Sequence, residues 1–410
     1  MILSNCRACN SNKLITFFDL GPMPISNNYM HNRNDNLDLY DLKLMVCQNC
    51  SFMQLSESHD PKIHFNDAYP YFSGYSKTWI EHCRNSAANL RKMLKLKPND
   101  FVIELASNDG TFIKEFKKLK MKVLGIEPSA NVAKAAMKIE IETINDFFTD
   151  ELSIEVLDKY GHPDLILGCN VLAHVPDLHS FILGVSRLMS NTTVACFEFP
   201  HASRMIQYNQ FDTIYHEHYS YLNLMSLIPV FTNYNLQVHH VEEIDLHGGS
   251  LRIHVSKLTS QHKTDPSVQK LLKFESKYNP LSKDVQEKFS ESVNQIKDDL
   301  NQKIVSLIAE GKRVIIFGAA AKGTTLLNFS KIDYKMIEIA IDSSIAKQNK
   351  FIPGTGIKIY PPEILDEIEF DCVLILAWNF AAEIISVIRG RSFNNFSALI
   401  PIPYVHESKL

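Results

Sequence analysis

Residues 101–119 read FVIELASNDGTFIKEFKKL, and the fold follows from how that stretch is parsed. Val102, Ile103 and Leu105 form a short apolar run of the kind that makes a buried strand. Ala106-Ser107-Asn108-Asp109-Gly110 is a polar turn, and Thr111 opens a helical pattern. A second strand pattern, in VLGIEPSANVA, ends on Glu127. An acid at that place can accept two hydrogen bonds from a ribose diol. The first turn lacks GxGxxG. A pyrophosphate needs several glycines for close backbone approach, whereas ELASNDGT offers a single glycine beside two acids, Glu104 and Asp109, that repel phosphate. A cationic, phosphate-free nucleoside such as S-adenosylmethionine suits this turn better, because the acids can face its ammonium and sulfonium groups.

Working outward, HPDLILGCNVLAHVPD gives a strand at 165–167 and a loop with Asn170 and His174, and 193–199 is a further strand. Strands alternating with helices predict an α/β fold with a doubly wound parallel sheet and ligands outside the carboxyl ends of the strands. The expected donor contacts are Glu104, Ala106, Ser107, Asn108, Asp109, Gly110, Glu127, Pro128, Asp146 and Asn170. Just beyond lies FDTIYHEHYSY, residues 211–221, where Tyr215, His216, Glu217, His218 and Tyr219 follow one another. A core does not need that density of polar groups, since each one buried must find a partner. The stretch is the expected acid/base centre. An extended strand would send Tyr215 and Glu217 to one face and His216 and His218 to the other. Tyr215 and His218 share a site only on a turn, where positions three apart are neighbours. A second metal site in the His-Glu-His run is the weaker alternative, because no fourth ligand is evident nearby.

The flanks define the domains. Net charge is -4 and the charged fraction is 21%, which gives no electrostatic case for nucleic acid or a membrane surface. No apolar run is long enough to span a bilayer and MILSNCRACN is not a secretory signal, so a cytoplasmic location is expected. Cys6 and Cys9, with Cys47 and Cys50, make two CxxC pairs, a pattern that predicts one zinc held by four thiolates. With every ligand position filled by cysteine, that zinc is structural. The expected division is a zinc-ribbon-like unit at 1–65, a Rossmann-like donor domain at 66–258, a solvated helical linker at 259–309 and a second Rossmann-like unit at 310–410. The aromatic run HFNDAYPYFSG, residues 64–74, is expected to pack a linker or to wall a ligand. In the last unit KRVIIFGAAAKGTTLLNF sets Gly318, Lys322 and Gly323 at a helix start, which favours phosphate. Lys347 adds a cation.

Taken together, the CxxC pairs, ELASNDGT (104–111), DTIYHEH (212–218), HGGSLR (247–252), GAAAKGTTLLN (318–328) and LILAWNF (374–380) resemble the nucleotide-sugar C-methyltransferase family along almost the whole chain. The resemblance implies S-adenosylmethionine as donor, a structural Zn2+, and a nucleotide-linked keto-deoxysugar (dTDP-, GDP- or CDP-) as partner. It implies acid/base roles for Tyr215, Glu217 and His218, assisted by His174 and an aromatic-loop tyrosine, here Tyr71. It implies substrate contacts from His247, Gly248, Arg252, Gly318, Lys322, Gly323, Lys347, Trp378 and Asn379. The expected reaction is methylation of C3 of a 4-keto sugar through an enolate, by a monomer or weak homodimer, in branched-sugar biosynthesis for a surface polysaccharide or a secondary metabolite. A sugar O-methyltransferase would use the same base on a hydroxyl. A nicotinamide-dependent oxidoreductase is disfavoured by ELASNDG.

Overall fold

The computed structural model describes residues 2–67, 69–246, 248–391 and 395–409. Strand Phe101–Leu105 lies near the middle of a seven-stranded sheet. Its sequence neighbours in the sheet are Lys122–Ile126 and Thr143–Ile144 on one side, and Leu165–Cys169 and Val194–Pro200 on the other, all parallel to it. Alternation explains the burial. Ile103 and Leu105 enter the core beneath helix Leu178–Leu188, while Val102 enters the core beneath helix Lys77–Leu94. That second helix turns Trp79, Cys83, Ala87 and Leu90 inward, and Ser76 caps its start through Trp79 N at 3.2 Å.

The alternation predicts a parallel sheet, and the structure departs from it at one edge. Leu236–Ile244 and Ser250–Lys257 are joined by so short a link that only an antiparallel hairpin is possible. Ser250–Lys257 inserts antiparallel beside Val194–Pro200, leaving Leu236–Ile244 at the edge.

The N-terminal unit is an antiparallel sheet of Leu14–Pro24, Leu39–Cys47 and Met53–Leu55. Its fourth strand is Ser220–Tyr221, the end of the YHEHYSY run, with Met53 opposite Tyr221. The two units are thereby stitched together at the polar cluster.

Helix Lys283–Ala309 differs from the expected solvated linker. Phe289, Val293, Ile296, Leu300, Ile304 and Leu307, spaced by three and four, form one apolar face. That face is buried against Phe17 and Phe18 of the N-terminal sheet and against the last α/β unit, in a single core. The last unit has a six-stranded sheet ordered Lys358–Tyr360, Ile339–Ile341, Val314–Phe317, Cys372–Ile375, Ser397–Ile400 and His406–Lys409, parallel except for the final strand. Among the described residues no helix is long and apolar enough to cross a membrane.

Candidate active site

The four cysteines meet as a tetrahedral site requires. Cys6 Sγ lies 3.6 Å from Cys50 Sγ, and Cys9 Sγ 3.6 Å from Cys47 Sγ. All four sulfurs fall within 4.8 Å of one another. Zinc–thiolate bonds of about 2.3 Å imply tetrahedron edges of about 3.8 Å, so the set fits zinc. Backbone N–H groups of Ala8 and Asn49 donate to Cys6 and Cys47 sulfurs at 3.4 Å. Arg7, inside the first knuckle, donates to Ser220 Oγ at 2.5 Å, to Pro176 O at 2.8 Å and to Val175 O. The metal unit therefore braces the loop after His174 and the strand after the YHEH turn.

Outside the carboxyl ends of the large sheet is a cavity of about 310 Å³. Glu104, Ala106, Ser107, Asn108, Glu127, Pro128 and Asn170 all line it, and no Lys or Arg stands among its described lining residues. Burial raises the Glu104 carboxyl well above its usual range, and it raises that of Glu127 as well. Glu127 accepts from Asn108 N at 3.0 Å and Ser129 N at 2.8 Å, which fixes it at the turn. Ser107 Oγ and Asn170 Oδ1 are buried without a partner among the described residues. An acidic, cation-free cavity with unsatisfied polar atoms fits an adenosyl sulfonium and not a pyrophosphate.

Three expected donor contacts sit elsewhere. Asp109 is absent from the lining: its carboxylate accepts from Gly74 N at 2.8 Å and Thr111 N at 3.1 Å. Gly110, at φ +76°, packs toward Ile141 and Ala136. Asp146 is exposed and borders a neighbouring shallow pocket with Asn145 and Phe147. The Asn108 side chain also faces the aromatic loop, accepting from Ser73 N at 2.8 Å and donating to Tyr71 O at 3.3 Å. Asn131 holds Tyr69 O at 2.9 Å. The polar turn thus clasps residues 69–74 as a wall of the cavity, which Phe65, Tyr69 and Tyr71 line.

The run 215–218 is a turn, not a strand: His218 N donates to Tyr215 O at 2.9 Å. It brings Tyr215 Oη to 2.8 Å from His218 Nε2, with the rings 4.0 Å apart. His218 Nδ1 lies 2.9 Å from Thr213 O, a carbonyl that can only accept, so Nδ1 carries the proton and Nε2 the lone pair. Burial depresses His218 to about 4, so its ring is neutral at pH 7, and keeps the Tyr215 hydroxyl protonated. His174 lines the donor cavity, donates from Nδ1 to Glu217 O at 2.9 Å, and lies 4.7 Å from the His218 ring. Glu217 points elsewhere: Oε1 accepts from Asn27 Nδ2 at 2.6 Å, and burial raises its carboxyl to about 7. His216 leaves the group altogether and joins His59 and Tyr40. Sequence reasoning missed Asn27, which only folding brings to Glu217, and chose Tyr71 where Tyr69 lines the same wall and is more deeply buried.

The second sheet edge faces the same turn. Trp378 Nε1 donates to Asp212 Oδ2 at 2.6 Å, and Lys322 sits 4.0 Å over the Trp378 ring and donates to Asn379 Oδ1. Lys347 Nζ reaches Ala319 O at 3.1 Å and Asp342 at 3.2 Å, while Tyr29 Oη donates to Ala319 O at 2.6 Å. Gly318, at φ +89°, lets the turn lie against Ala377. Gly248 leaves room for the Trp378 ring, where a side chain would collide. Two expected substrate contacts are structural instead. Gly323 packs on Leu376, where a Cβ would come within 2.7 Å of a methyl. Arg252 is buried and bound to Glu198 at 2.7 Å and Ser86 at 2.6 Å, because its strand position points into the sheet face under helix Lys77–Leu94. His247 lies outside the described residues.

Residues 6–65 match the model of a zinc binding domain, 79–241 a methyltransferase domain, and 245–403 a C-methyltransferase C-terminal domain. The chain is 30% identical over 403 residues to C-methyltransferase NovU of Streptomyces niveus, covering 98% of this chain and 96% of that one. Among solved structures, magnesium protoporphyrin IX methyltransferase of Synechocystis PCC 6803 with bound S-adenosylmethionine has 12% identity and a TM-score of 0.36, covering 49% of this chain and 98% of that one. An S-adenosylmethionine-dependent methyltransferase of Clostridium acetobutylicum ATCC 824 has 10% identity and a TM-score of 0.34, covering 43% and 92%.

Proposed function

The chain belongs to the C-methyltransferase family, and from that premise we propose that it methylates C3 of a 4-keto-deoxysugar nucleotide, using S-adenosylmethionine. The observation that carries this reading is the Tyr215–His218 pair, set one ring behind His174 of the donor cavity. A carbon acid adjacent to a ketone needs a neutral base for its proton and a donor for the oxygen that gains charge. His218 Nε2 carries the lone pair for the first task; it accepts from the Tyr215 hydroxyl in this structure, a contact the substrate has to displace before either group acts. The Tyr215 hydroxyl, held protonated by burial, suits the second. His174, held through Nδ1 by the Glu217 carbonyl, lines the donor cavity with its other nitrogen left to meet a ligand. Glu217, braced by Asn27 and near Lys347, is suited to hold a sugar hydroxyl. S-adenosylmethionine, when bound, supplies an electrophilic methyl group.

Two ammonium groups stand at the second edge, Lys322 and Lys347, the latter paired with Asp342, and they support a phosphate-bearing substrate, since ammonium groups pair with phosphate oxygens. Solvent deuterium exchange tests the reading. A 4-keto-6-deoxysugar nucleotide incubated with enzyme and S-adenosylhomocysteine is expected to take up deuterium at C3, and His218→Asn is expected to abolish the uptake. Methyl transfer to a hydroxyl, with no exchange at C3, would overturn the carbon assignment.

A further inference from the structure

Away from the methyl-transfer site, three neighbouring strands carry a strip of metal-type side chains. Register creates it. His240 on Leu236–Ile244 lies opposite His254 on Ser250–Lys257, and His254 lies opposite Cys196 on Val194–Pro200. Two residues along each strand, Glu242 lies opposite Arg252, and Arg252 opposite Glu198. The strand period of two puts both rows on one face.

His254 Nε2 is 2.6 Å from Glu242 Oε1, and His240, Glu242 and His254 each offer a ligand atom within 4.8 Å of the others. The outer nitrogens are also held. His240 Nδ1 lies 3.2 Å from Ser267 Oγ and 3.4 Å from Asp265 Oδ1, and His254 Nδ1 lies 3.2 Å from Cys196 Sγ. An imidazole oriented through one nitrogen in this way is prepared to present the other to a metal. Charge points the same way. Two carboxylates, Glu198 and Glu242, share one guanidinium, Arg252, at 2.7 Å and 3.6 Å, with His82 Nε2 also 2.9 Å from Glu198, and a third carboxylate, Asp265, lies against His240. A cation would restore the balance. Next to the strip His239, the extra residue of a bulge, stacks on His262 at 4.4 Å and keeps a buried Nδ1 with no partner among the described residues. The side chains of His240 and Glu242 are 28% and 25% exposed, so an ion and a water ligand can enter from the edge.

We propose that His240, Glu242 and His254 form a second metal site, for a divalent transition ion of the zinc class, separate from the four-cysteine centre. Two imidazoles and one carboxylate suit zinc, cobalt or nickel; calcium and magnesium prefer all-oxygen sets. The ion clips the edge strand Leu236–Ile244 to Ser250–Lys257.

Full-length protein already holding zinc at its cysteines is titrated with Co2+ and with Zn2+, and bound metal is counted by mass spectrometry after removal of free ion. A second equivalent is expected, with cobalt absorption in the visible and no thiolate charge-transfer band. His240→Asn combined with Glu242→Gln is expected to lose that equivalent while retaining the cysteine-bound zinc and S-adenosylhomocysteine binding. Both substitutions are at partly exposed positions, and Glu242→Gln alone is expected to weaken the site at least tenfold should the double variant fold poorly. Uptake limited to one metal per chain, or a second metal unaffected by both substitutions, overturns the proposal.

Discussion

Residues 101–118 and 314–330 build the same strand–turn–helix shape, yet they set opposite charge at the edges of their sheets. The first stretch contributes Glu104, from its strand, to a cavity that Glu127 also lines and from which Lys and Arg are absent among the described lining residues. The second carries Lys322 and is joined by Lys347. The backbones differ to match. The first turn reaches the left-handed region with Ala106 and Asn108 as well as Gly110, and the second uses Gly318. On the proposed function, one fold supplies two recognition surfaces, one for a cationic donor and one for an anionic substrate, with the turn 215–218 between them. The general lesson is that sheet topology fixes where a ligand lies, while a few charged positions decide which ligand it is.

The largest effect is expected at the turn between the two edges. His218→Asn is expected to lower kcat by ~10²–10⁴ while S-adenosylhomocysteine affinity, read by calorimetry, stays within about twofold, since His218 is not part of the donor cavity lining. A matching loss of donor affinity would show that the turn belongs to the first edge. Next come the edges themselves. Glu127→Gln is expected to weaken donor binding by about 10- to 100-fold, the loss of hydrogen bonds to a charged acceptor, and to leave KM for the sugar nucleotide alone. Lys322→Gln is expected to do the reverse, raising that KM about tenfold. If Lys322→Gln weakens the donor as much as Glu127→Gln does, the division of labour is wrong.

Glu217 links the two edges and gives a pH signature. Burial raises its carboxyl from 4.5 to about 7, so the folded state binds the proton more tightly than the unfolded chain does. Stability is unaffected below about pH 4.5 and falls as pH rises through 7, by up to about 3 kcal/mol. Glu217→Gln can keep the Asn27 contact and removes the charge. Its Tm is expected to exceed that of the native chain at pH 8 and to equal it at pH 4.5. The same substitution is expected to remove an acid limb near pH 7 from kcat/KM. Equal Tm values at pH 8 would mean the carboxylate is better solvated than its burial implies.

Much of this was legible in sequence because the signals were local. Cys6, Cys9, Cys47 and Cys50 announce one metal through spacing, and the acids of ELASNDGT disfavour pyrophosphate by charge. The i, i+3 argument for Tyr215 and His218 needed only the geometry of a turn. What escaped was set by tertiary contact. Nothing near Asn27 in sequence points to Glu217, which is met only when the N-terminal sheet takes Ser220–Tyr221 as its fourth strand. Arg252 looks like a substrate arginine beside Gly248 and Gly249, but strand alternation turns it onto Glu198 in the interior. The linker helix hides its role because a heptad-like stripe of Phe289, Val293, Ile296 and Leu300 is diluted by charged residues on its other faces.

The smallest effect concerns how the first edge is closed, and it separates contact from scaffolding. Asp109 resembles a donor ligand in sequence, but it holds Gly74 N and Thr111 N and lies outside the cavity lining. If that is its whole role, Asp109→Ala frees one end of the 69–74 wall. Loss of two hydrogen bonds at a partly exposed turn costs ~1–2 kcal/mol of local order. Part of that reaches the donor, whose affinity is expected to fall about threefold to tenfold, less than for Glu127→Gln. Amide hydrogen exchange distinguishes the two cases, because residues 71–75 are expected to exchange faster in Asp109→Ala without ligand and to recover protection when S-adenosylhomocysteine binds. Unchanged exchange together with a large affinity loss would mean that Asp109 touches the donor after all, and the acidic edge would then extend one residue further than the cavity indicates.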